Sequence, residues 1–160
     1  MRYIGFGLIL LGAYMLMYRQ RQASDEEILH LEELTALFKH IERRVSSYFE
    51  SPREWATSFK SSDEKISSAL AEIRGGVPPS AALEKTLSKR NTRHGVDKTV
   101  LECISMLGGD DLESERDKIA RASTMMSEHL REERVRLADT ARVRSAMIAL
   151  VALGAVIILV

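Results

Sequence analysis

Apolar positions recur along this chain at steps of three and four. In LHLEELTALFKHIERRVSSY, residues 29–48, they fall at Leu31, Leu34, Phe38, Ile41, Val45 and Tyr48. That spacing lines one face of a helix and leaves the polar remainder to solvent. Ser24 and Glu27 fit a capping box, although the helix can equally run on from the preceding apolar segment. The signals for the next helix are sharper. In SPRE, Ser51 fits the N-cap, Pro52 the first helical position and Glu54 the third. Trp55 and Phe59 follow one turn apart, and Trp55 reads as core or, alternatively, as a partner contact. SSDE, residues 61–64, restarts a helix carrying Ile66, Leu70 and Ile73, and Gly75-Gly76 ends it. A further helix begins at the prolines of VPPSAALEKTLSKR with Ala82, Leu83 and Leu87. NTRHG is a loop, and Val96 to Leu107 turns Val100, Ile104 and Leu107 inward. Ile119, Ala122, Met126, Leu130, Leu137 and Ala141 stripe one last long helix, with HLREERVR as its solvated face. No strand-like alternation of useful length occurs. The expected fold is all-α, a helical bundle with short connections.

The two ends depart from this amphipathic pattern. YIGFGLILLGAYMLMY, residues 3–18, and SAMIALVALGAVIILV, residues 145–160, are each sixteen residues without a charge. Sixteen helical residues extend about 24 Å, less than a hydrocarbon core of about 30 Å. Arginine flanks add effective length by snorkelling: Arg19 and Arg21 follow the first run, and Arg142 and Arg144 precede the second. The nine Leu, Ile and Val residues of the second run favour insertion by about 3 to 5 kcal/mol. The first run fits a cleaved signal peptide poorly, because its arginines follow the apolar stretch and no Ala-x-Ala site precedes them. The expected organisation is a transmembrane helix at 1–18, a soluble bundle at 19–144 and a second transmembrane helix at 145–160. The first and last bundle helices are expected to be long and continuous with the spans. Arginines cluster on the inner flanks, which places the middle in the cytoplasm.

Charge removes one class of partner. The chain carries 23 acidic and 23 basic residues, so there is no basic excess for nucleic acid. Cys103, the single cysteine, lies in an apolar helical run and reads as a buried structural thiol. The histidines, at 30, 40, 94 and 129, lack the spacing of a zinc helix. The segment MLGGDDLESERDK concentrates five carboxylates but lacks the order of a calcium loop. It reads instead as a helix boundary. Gly108 suits the left-handed position after a helix, and Asp110 or Asp111 caps the next helix. Glu113 then takes the capping-box position or simply complements the helix dipole. No nucleophile–base pair, phosphate-binding loop or metal cluster stands out, so no enzymatic activity and no cofactor are expected.

In combination these features resemble the stage III sporulation protein AB family, whose helical domain is similar to the type II secretion system F domain. Leu107-Gly108, Asp111 and Ile119 match the family pattern LGxxDxxxQxxxI. Tyr48, Ser51-Pro52 and Ala56 match YGxTPLxxA. Glu115 stands in place of the pattern's Gln, Phe49 in place of Gly, and Arg53 in place of Leu. The resemblance implies a non-enzymatic membrane scaffold in the machine joining mother cell and forespore, on the mother-cell side. It implies a secretion-type ATPase, like stage III sporulation protein AA, as partner, with other membrane components of the same complex, and is compatible with a homo-oligomer. The alternative is a two-span membrane sensor or ligand-binding bundle. Arg53, Trp55 and Glu113, at the two turns that reverse the long helices, are the expected partner contacts.

Overall fold

The computed structural model describes residues 2–88, 98–108 and 112–159. Its order is α1 (Arg2–Tyr48), α2 (Pro52–Ser58), α3 (Glu64–Arg74), α4 (Pro79–Ser88), α5 (Lys98–Ser105) and α6 (Leu112–Leu159). Among the described residues there is no strand, as the 3-4 periodicity requires. α1 passes through Ser24 without a break, so the possible capping box there is not used as a helix start.

Each boundary has a local cause. Pro52 opens α2 where its missing N–H is not needed, and the Glu54 carboxylate accepts from both the N–H (2.7 Å) and the hydroxyl (2.8 Å) of Ser51. Asp63 caps α3 by accepting from the N–H groups of Lys65 and Ile66 at 2.8 and 3.3 Å. At the other end of α3, Gly76 adopts φ +98°. Its N–H reaches the Ile73 carbonyl, and the next N–H, of Val77, reaches that of Glu72. This paired closure is a Schellman motif and needs a left-handed residue. Gly108, with φ +89°, plays the expected part after α5.

The chain divides into two compact units, His30–Arg131 and the paired ends Met1–Leu29 with Glu132–Val160. The first is the bundle. Leu31, Leu34, Leu37, Phe38 and Ile41 of α1 are buried with Trp55, Ile66, Leu70, Leu83, Ile104, Ile119 and Met126. α2, α3, α4 and α5 pack in succession. α1 is tied to the α2–α3 connection by side-chain hydrogen bonds. Glu33 accepts from the hydroxyls of Ser61 and Ser62 and from the N–H of Asp63 at 3.1 Å, and the His30 Nδ1–H donates to the Asp63 carboxylate. Cys103 is fully buried and its thiol lies 3.5 Å from the Ala122 carbonyl of α6. Burial pushes that thiol up to about 11, and the charge of Glu102 adds to the effect.

The bundle unit is shorter than the expected 19–144 segment. Every hydrophobic residue buried among the described ones falls between Leu31 and Met126. In the other unit no described apolar side chain is buried, and many face outward: Leu16 is 69% exposed, Leu150 70% and Val151 69%. Among the described residues, no helix is long and apolar enough to cross a membrane. The first expected span therefore meets a physical limit, since Arg2 and Arg19 close its uncharged run at sixteen residues.

Candidate functional site

The end of α1 and the start of α6 lie side by side. The Arg116 guanidinium donates to the Ser46 carbonyl at 2.8 Å, satisfying one of the last carbonyls of α1. It also stands 5.2 Å from the centre of the Phe49 ring. Arg44 sits 5.4 Å from the centre of the Tyr48 ring and pairs with Glu50 at 2.6 Å. The N–H of Glu50 closes the turn onto the Arg44 carbonyl at 3.4 Å. Two guanidiniums thus brace two aromatic rings, while the rings themselves stay 59% (Tyr48) and 64% (Phe49) exposed.

Phe49 carries the cost of this turn. Its φ is +53°, the only positive value at a non-glycine among the described residues. A side chain in the left-handed region costs about 1–2 kcal/mol. Glycine, which stands here in the resembled pattern, has no such penalty. The turn also leaves Glu50 Oε2 buried without a hydrogen-bond donor among the described residues. A strained, solvent-facing aromatic beside an unmet acceptor is the combination expected where the surface is kept for contact rather than stability.

The sequence-predicted contacts fare unevenly. Trp55 is 2% exposed and belongs to the core, so it cannot be a surface contact. Arg53 is exposed, but its Nε donates to the Arg74 carbonyl at 2.9 Å, at the end of α3. Arg74 reciprocates by donating to the Ala56 carbonyl of α2 at 2.8 and 3.0 Å. Arg53 is thereby committed to holding α2 against α3. Glu113 lies exposed in the first turn of α6, consistent with its dipole role. Asp110 and Asp111 lie outside the described residues. Tyr48, expected as the last member of the inward stripe, faces solvent because α1 ends there. Tyr48 and Phe49 lie in the first of the two turns expected to make contact, Tyr48–Trp55, although neither is itself an expected contact residue, and Arg116 lies outside both turns. The available signal was an aromatic residue placed where a helix must reverse before Ser51-Pro52.

Arg19, Arg21, Arg142 and Arg144 are all exposed on the paired-end unit. Among the described residues, no three or more His, Cys, Asp or Glu side chains are grouped to hold a metal. Compared with family models, curated proteins and solved structures, the chain has no match.

Proposed function

We propose that the chain is a non-enzymatic membrane scaffold of a sporulation-specific, secretion-like complex, and that it docks a secretion-type ATPase through Tyr48, Phe49 and Arg116. The observation that carries the docking surface is Phe49, an exposed ring held at a positive φ beside a guanidinium. Aromatic and arginine side chains dominate binding energy at protein interfaces, and here they are already ordered. The family resemblance supplies the identity of the partner and the setting between mother cell and forespore.

Membrane attachment rests on the paired ends. Their apolar side chains are exposed on successive positions, Tyr14 to Tyr18, rather than confined to one stripe. A helix that is apolar all round needs an apolar medium. With the arginine flanks snorkelling, two short spans fit, and the bundle then faces the cytoplasm.

The test is capture of the ATPase by the full-length chain in detergent. Phe49→Gly should weaken association at least tenfold, the scale of losing one interface hot spot. Glu84→Arg, on the exposed face of α4, should bind like the native chain. Undiminished binding by Phe49→Gly, with helical content retained, would remove this turn as the docking surface. Extraction of cell membranes with alkaline carbonate tests attachment separately, and release of the chain into the supernatant would refute the two-span reading.

A further inference from the structure

Within the paired-end unit, α1 and α6 enclose an open groove of about 470 Å³. Its lining includes Tyr14, Met17 and Tyr18 of α1 and Arg144, Ser145 and Ile148 of α6. Arg21, Asp25 and Arg134 also line it. Arg134 has an interaction of its own, which leaves Arg21 and Arg144 against the single lining carboxylate, Asp25. Among the described residues, no ion pair or hydrogen bond occupies the side chain of Arg21 or Arg144. An apolar floor that meets two exposed, uncommitted guanidiniums suits an amphiphile with an anionic head. We infer that the groove binds an anionic glycerophospholipid, its phosphate held by Arg21 and Arg144 and the start of its acyl chains against Tyr14, Met17 and Ile148. The planar guanidinium fork matches phosphate geometry, and basic pockets between membrane helices recognise anionic head groups in this way.

The inference rests on the membrane reading above, and the test separates the two. Full-length chain in neutral detergent is titrated with phosphatidylglycerol or phosphatidylcholine, and retained lipid is counted by native mass spectrometry. Phosphatidylglycerol should be retained in preference to phosphatidylcholine. Arg21→Gln with Arg144→Gln should lower that retention about thirty-fold, since each cation at an anionic surface contributes about fivefold. Arg21→Lys with Arg144→Lys, which keeps the charge and loses the fork, should fall between. Equal retention of both lipids by the native chain would overturn the proposal, as would equal phosphatidylglycerol retention by the Gln variant with native helical content. Displacement of the lipid by millimolar inorganic phosphate would also overturn it, by assigning the groove to a soluble anion. A chain that stays with carbonate-washed membranes while failing these tests loses only the groove, whereas one that leaves the membrane loses the reading beneath it.

Discussion

Phe49 sets up a sharp stability comparison. Replacing it with glycine relieves a penalty of about 1–2 kcal/mol but forfeits about 0.5–1 kcal/mol of exposed ring–guanidinium attraction. Phe49→Gly is therefore expected to match or slightly exceed the native melting temperature, and Phe49→Ala, which keeps the strain and loses the ring, to fall below it. Thermal denaturation followed by circular dichroism ranks the three, and an alanine variant as stable as the glycine one would deny the strain. A second residue-scale expectation concerns acid. Burial alone raises the carboxyls of Glu33 and Asp63. For Glu33, the hydroxyls of Ser61 and Ser62 and the N–H groups of Asp63 and Ser62 outweigh it, leaving it below its ordinary 4.5. For Asp63, His30 and the N–H groups of Lys65 and Ile66 do the same, leaving it below 3.8. Carboxyls lowered by folding contribute stability that is full above their unfolded values and lost as pH falls through the folded ones. The bundle should thus lose stability below about pH 4, and Glu33→Gln should flatten that decline in urea titrations across pH. None of this was visible beforehand. Asp63 reads from sequence only as part of a helix start, because its partners His30 and Glu33 lie some thirty positions away.

Among the elements, the helices were legible because amphipathic spacing and capping chemistry act over a few residues. Ile66, Leu70 and Ile73, or Val100, Ile104 and Leu107, announce their faces without help from tertiary structure. The short α2–α3 pair shows where that ends. Its mutual bracing by Arg53 and Arg74 joins side chains to backbone carbonyls, and carbonyls have no sequence signature. Arg53→Glu is therefore expected to cost about 1 kcal/mol through the lost hydrogen bond. Denaturant midpoints would show this, and no change would mean that water replaces the contact without loss. Such a variant is a poor probe of docking, because it perturbs the fold first. At the end of α3, Gly76→Ala forces a methyl group into a left-handed residue and should cost about 1–2 kcal/mol.

At the scale of the molecule, the core and the exposed apolar surface are segregated along the chain. Burial runs from Leu31 to Met126, within the compact unit His30–Arg131. A chain restricted to residues 30–131 is expected to fold cooperatively, with a single unfolding transition, and a drifting non-cooperative melt would show that the ends are needed. Composition foretold the segregation, whereas the position of the boundary depended on which turns of α1 and α6 find neighbours. The single thiol gives this unit a built-in clock. Cys103 is fully buried, its thiol against the Ala122 carbonyl of α6, and its elevated pKa leaves little thiolate near neutrality. Modification must then wait for the helices to part, so the rate at which an alkylating reagent consumes the thiol counts spontaneous openings of the bundle. Because the chain has only this cysteine, mass spectrometry can read those openings in the untouched native sequence, with no engineered label. A partner gripping the end of α1 and the start of α6 should slow the count, reporting its arrival from inside the protein.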